Sequence, residues 1–135
     1  MKTLLPNVRH FLASDGGNAS VEFTVLLPVF LGLVVFAADT ATIFTRQSNM
    51  LSVSQQTARI VSRHALDAEA AESFAAELLS RGGYSPEVTV DVDADTQIVT
   101  VVITAEPTEL APFGLLSRVL DDRLTVSVSQ ALEPT

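Results

Sequence analysis

From Phe23 to Ala38 the chain reads FTVLLPVFLGLVVFAA, sixteen positions without an ionisable group, bracketed by Glu22 and Asp39. As a helix rising about 1.5 Å per residue, this run covers roughly 24 Å, a little less than the roughly 30 Å hydrocarbon core of a bilayer. Extending the helix from Val21 to Phe44 gives about 36 Å, but Glu22 and Asp39 must then lie near the interfaces or find partners. Before the run, residues 1–17 are polar, mixed in charge, and end in the pair Gly16-Gly17, a boundary signal.

Beyond the run the pattern changes twice. Over Gln47 to Arg81 apolar residues recur at near-helical spacing (Met50, Val53, Val61, Ala65, Ala68, Ala75, Leu78), which predicts helix. An interruption is expected near His64 to Asp67, with Asp67 capping a second helix that Gly82-Gly83 ends. After Pro86 the period becomes two. Val88, Val90 and Val92 alternate with polar neighbours in one strand, and Val99, Val101 and Ile103 in a second, joined across Asp95-Thr96 and stopped by Pro107. Leu110 to Leu120 is irregular, and Leu124, Val126 and Val128 mark a third strand. The expected fold class is α+β: a long N-terminal hydrophobic transmembrane helix extending into a second helix, then a small three-stranded antiparallel sheet packed on helix. The Ala-rich segment Ala68 to Leu79, with Phe74, is the expected cover for the sheet.

Charge and composition narrow the function. Sixteen acids against eight Lys and Arg give a formal charge of -8, which argues against a nucleic-acid partner because phosphate contacts need clustered cations. With no Cys there is no disulfide, thiolate metal site or Cys nucleophile. The acidic run Asp91-Val92-Asp93-Ala94-Asp95 begins like a calcium loop, but Thr96 stands where Gly is needed and Val102 where a bidentate Glu should be; strand alternation explains Asp91 and Asp93 as a solvated face. His10 and His64 fall in different zones, and no Ser constellation or Gly-rich phosphate loop is present. Arg59, Arg63 and Arg81 read as helix-surface cations. No catalytic residue, metal ligand or cofactor is assigned, and an enzyme is not expected.

The segment Gly17-Asn18-Ala19-Ser20-Val21-Glu22-Phe23 resembles a class III signal peptide, and ASVEFTVLLPVFLGLVVF is similar to the TadE-like minor pseudopilins of tight-adherence (Tad) pilus systems, in the type IV pilin superfamily. The resemblance covers roughly residues 16–44. It implies cutting by a prepilin peptidase between Gly17 and Asn18, which puts Glu22 fifth in the mature chain, followed by Phe23. It further implies an assembly role for Glu22, facing the amino terminus of a neighbouring subunit. One departure stands out: where relatives carry a second Glu before the Phe near the end of the helix, this chain has Val35-Phe36, with Asp39 a turn further on. Apart from any family, an acid at the border of an apolar helix must be shallow or paired, since a central position costs about 2.5 to 3.5 kcal/mol.

The resulting organisation is a leader over 1–17, a transmembrane, pilin-like helix over 18–46, and an extracytoplasmic α+β domain over 47–135. Pro28 within the helix lacks a backbone donor and predicts a bend. Flanking cations leave orientation undecided, with Lys2 and Arg9 on one side and Arg46 and Arg59 on the other. The resemblance implies a cytoplasmic amino terminus in a bacterial inner membrane, with the peptidase, pilin-like or pseudopilin subunits, pilus assembly proteins and membrane lipid as partners. Two alternatives share much of the pattern. One is a secreted binding module with an ordinary signal peptide cut near Val35-Phe36-Ala37; the other is an unprocessed single-pass envelope protein.

Overall fold

The computed structural model describes residues 18–118 and 122–134. Two compact units divide the chain, Met1–Val35 and Phe36–Thr135. The boundary falls inside one helix, α1, which spans Asn18–Ser62. In the first unit every side chain from Ser20 to Val34 is exposed, including Phe23, Val25, Val29, Phe30, Leu31 and Leu33. A helix apolar on all sides is one whose surroundings are apolar, and this one is long and apolar enough to cross a membrane.

The second unit takes in helix residues 36–46 as well as everything that follows. Here α1 becomes one-sided: Asp39, Ile43, Met50, Val53, Ser54, Thr57, Ala58, Val61 and Ser62 are buried at helical spacing. Small hydroxyls on this stripe bond back to their own helix, Ser54 Oγ to Leu51 O at 2.9 Å and Ser62 Oγ to Arg59 O at 3.0 Å. The helix ends where expected, with His64 in the left-handed region at φ 56°. Asp67 then caps α2 (Ala68–Ser80), its carboxylate accepting from Ala70 N at 2.8 Å. Past α2 the chain turns through Gly83 at φ +77°.

The three strands are β1 (Glu87–Asp93), β2 (Ile98–Ala105) and β3 (Leu124–Ala131), antiparallel in the order β1-β2-β3. Val90 pairs with Val101, and Val101 with Val128, so both ladders bring the predicted apolar sets onto one face. Val99, Val101, Ile103 and Ala105 are buried along the central strand. Toward the hairpin the face opens and Val92 is exposed. Asp93 organises that turn, its Oδ1 accepting from the backbone N–H of Asp95 at 2.9 Å and of Thr96 at 3.3 Å. The Thr96 side chain first, and then those two backbone bonds, hold the Asp93 carboxyl below the usual carboxylate range against the opposing effect of desolvation.

The cover over the sheet is shared more widely than the Ala68 to Leu79 pattern suggests. Ala71, Ala75 and Leu79 of α2 join the core and α2 packs on β1, but Phe74 is only half-buried and stays outside the buried cluster. Ile43, Met50, Val53, Ala58 and Val61 of α1 complete the core. Alanines let α2 approach β1 closely, close enough for Glu72 Oε1 to accept from Val90 N at 2.8 Å on this edge strand. That bond satisfies an N–H which an unpaired sheet edge would leave open. The segment between β2 and β3, irregular in sequence, contains a four-residue helix, α3 (Pro107–Leu110), and a 3-10 turn at Leu116–Arg118.

Candidate assembly and anchoring sites

Of the positions singled out for processing and assembly, Gly17 lies outside the described residues, as does the rest of the 1–17 leader with His10. Asn18 is the first described residue of α1, and Glu22 stands four residues on, with an exposed side chain. Val21, Val25 and Leu26 line a shallow, almost wholly apolar hollow with Glu22 at its side. Phe23 is exposed next to it. This carboxylate therefore has apolar neighbours on its own helix; across the described residues, none of the hydrogen bonds or ion pairs found involves it. Thr24 Oγ1 donates to Ser20 O at 2.8 Å, one turn back. Helix is continuous through Pro28, whose missing N–H leaves the Thr24 carbonyl without its usual donor.

The other acid bordering the apolar run behaves in the opposite way. Asp39 is fully buried within the second unit. Its Oδ1 accepts from Phe113 N at 2.8 Å, while Oδ2 accepts from Leu115 N at 2.8 Å and Leu116 N at 3.2 Å. Three converging N–H donors suit an ionised, acceptor-only carboxylate, and such charge-assisted bonds are roughly twice as strong as neutral ones. Gly114, between the donors, sits at φ +69°, a conformation that a side chain would strain. The sequence shows that Asp39 needs a partner; it does not show which, because the partner is a backbone loop far along the chain.

Two helical turns further, Arg46 makes a second attachment of the same connection. Its guanidinium donates to Glu109 O and lies 5.2 Å from the centroid of the Tyr84 ring. The Tyr84 hydroxyl donates to Arg46 O at 3.4 Å and accepts from Asn49 Nδ2 at 3.2 Å. Asp39 and Arg46 thus fasten the segment between β2 and β3 to α1. Arg46 enters the sequence reading only as a flanking cation, and its seven-residue separation from Asp39 is the one local hint that the two share a helix face.

The remaining candidates resolve into ordinary surface chemistry. Arg63 pairs with Glu133 at 3.3 Å and Arg81 with Glu77 at 2.9 Å, all well exposed, so each pair contributes little. Asp93 is occupied with its own turn. Among the described residues no cluster of three or more His, Asp or Glu is arranged to hold a metal ion.

No curated protein and no solved structure matches the chain. A family model does: that of the TadE-like proteins covers residues 17–59, which takes in Gly17, the Val21-Glu22-Phe23 triplet, the apolar run and both attachment residues, Asp39 and Arg46. Over that stretch, a long apolar helix and the first part of the α+β unit, the chain is similar to the TadE-like proteins.

Proposed function

We propose that this chain is a non-enzymatic, pseudopilin-like component of a Tad pilus system, cut by a prepilin peptidase after Gly17 and held in the cytoplasmic membrane by α1. In this reading it is the substrate of an enzyme, and its work is assembly. The observation that carries it is the coincidence of a TadE-like match beginning at Gly17 with a helix whose side chains are exposed from Ser20 to Val34. Exposed apolar area is unfavourable in water at roughly 25 cal/mol per Å², so a helix carrying Phe23, Phe30, Leu31 and Leu33 outward needs lipid or other helices around it. Between Ser20 and Val34, Glu22 is the one ionisable residue on that surface. A neighbouring subunit's freshly exposed amino terminus is a cation of the right kind to neutralise it, and misplacement would leave a charge unpaired among apolar side chains. The α+β unit then lies outside the cytoplasm, since the peptidase works from the cytoplasmic side.

Mass spectrometry of the membrane-fraction protein, with and without the peptidase, tests the register. A mature chain beginning at Asn18 is expected, and only when the peptidase is present. A chain beginning at Ala38 would identify a secreted module instead, and one retaining residues 1–17 in the presence of the peptidase an unprocessed anchor. Glu22→Ala separates anchoring from assembly: membrane insertion should persist while pilus assembly is impaired. Normal piliation in that variant would remove the role given to Glu22.

A further inference from the structure

The connection between β2 and β3 presents an apolar tip. Phe113 is 63% exposed and Leu115 40% exposed, although the adjoining Leu110 and Ala111 are buried in the core. Across Leu110 to Leu120 the only ionisable residue is a cation, Arg118, whose side chain is exposed. Two large apolar side chains displayed outward on such a loop are poorly matched to water.

The attachment to Asp39 says where along α1 this tip is held. Asp39 directly follows Ala38, the last residue of the ionisable-free run, so its backbone lies about 1.5 Å further along the helix. The backbone nitrogens of Phe113, Leu115 and Leu116 are within 2.8–3.2 Å of its carboxylate oxygens. The headgroup layer adds about 5–7 Å on each side of the hydrocarbon core. Where a helix leaves the hydrocarbon at Ala38, a loop bonded to residue 39 is therefore at headgroup depth. At that depth an exposed Phe and Leu meet acyl chains, and an exposed Arg meets phosphate.

We propose that the Phe113-Gly114-Leu115 tip is a second membrane contact, inserted into the phospholipid interface and held at that depth by Asp39. This rests on the reading of Phe23–Ala38 as the membrane-spanning part of α1. The consequence is orientational. A single helix leaves its attached domain free to tilt and rotate, whereas a helix with a side loop in the interface restrains the α+β unit relative to the bilayer plane, and with it the face offered to other subunits.

The absence of Cys makes the test direct. Single substitutions Val29→Cys, Phe113→Cys, Leu115→Cys and Asp95→Cys, all at exposed positions, would be labelled with a fluorophore in the full chain. Each would be reconstituted into vesicles of phosphatidylethanolamine and phosphatidylglycerol containing lipids with a nitroxide near the headgroup or deep in the acyl chain. The thermal midpoint of each variant reports that the fold is kept. Labels at Phe113 and Leu115 should lose intensity to the shallow nitroxide, the label at Val29 to the deep one, and the label at Asp95, in the far hairpin turn, to neither. If Val29 is quenched while Phe113 and Leu115 behave like Asp95, the loop contact is overturned and the helical anchor stands. If Val29 also escapes quenching, the anchor itself fails and the loop contact with it. Shielding of Phe113 from a water-soluble quencher without any lipid quenching would mean a protein partner, and would equally overturn the proposal.

Discussion

Two stretches of the same helix meet opposite requirements. From Ser20 to Val34, α1 is exposed throughout and, from Val25 on, apolar around its whole circumference; from Phe36 to Ser62 it is mixed in composition and buries a single stripe. The difference is one of surroundings, since a residue such as Leu31 is 57% exposed among the described residues, whereas Met50 is fully buried and belongs to the same core cluster as residues of the strands and of α2. The acids at the two borders repeat the contrast. Glu22 is exposed beside an apolar hollow, and Asp39 is buried with three N–H donors. Apolar side chains are therefore displayed outward in the first stretch and enclosed in the second, and a polar group is tolerated in each only on its own terms.

The sharpest way to break this comparison is a matched pair of truncations. Met50→Ala should lower the unfolding free energy of the α+β unit by about 2–5 kcal/mol, as large-to-small changes in a closed core do. Leu31→Ala should leave chemical unfolding of that unit unchanged, because Leu31 is 57% exposed and belongs to the other unit. Equal losses in urea titrations would show that the two stretches are not energetically separate.

A smaller effect is expected at the border. Asp39→Asn keeps the shape but puts an amide donor where three backbone N–H groups converge, so at least one buried donor loses its acceptor. The thermal midpoint should fall by roughly 10 °C, with hydrogen exchange at Phe113, Leu115 and Leu116 accelerating more than in the sheet. Uniform acceleration throughout the unit would instead make Asp39 a general core residue with no special hold on the loop.

The smallest effect concerns Asp93, on the exposed turn at the end of β1. Its carboxyl is held below the usual range when folded, so the stabilisation is complete above the unfolded value near about 4 and is lost as pH falls through the lower folded value. Between neutral pH and pH about 3, wild type should therefore lose slightly more stability than Asp93→Asn, and the difference in urea midpoints measures it. No difference, or one of opposite sign, would remove the turn's dependence on an ionised Asp93.

How much of this was legible beforehand depends on the distance over which each feature is decided. The interruption near His64 to Asp67, the Asp67 cap, the Gly82-Gly83 end and the three alternating strands all reside in windows of a few residues, and the structure has each of them in place, the first helix ending at Ser62. The core cover was legible only in part. Alanine periodicity marks the buried face of α2, but whether the larger Phe74 follows it inward depends on the neighbouring elements, and it is left half-buried.

Sequence alone determined the ionisable-free run, the acids that bound it, the change of period from helix to strand, and the Gly17 to Phe23 pattern that resembles processed pilin-like chains. These follow from covalent order and from the fixed geometry of helix and strand. Tertiary structure decided that Asp39 holds the backbone of residues 113–116, that Arg46 spans Tyr84 and the Glu109 carbonyl, and that an apolar tip is presented beside the end of the run. The physical reason is that a carboxylate announces its need for donors, while backbone donors are the same at every residue. Only the folded chain selects which of them come within reach.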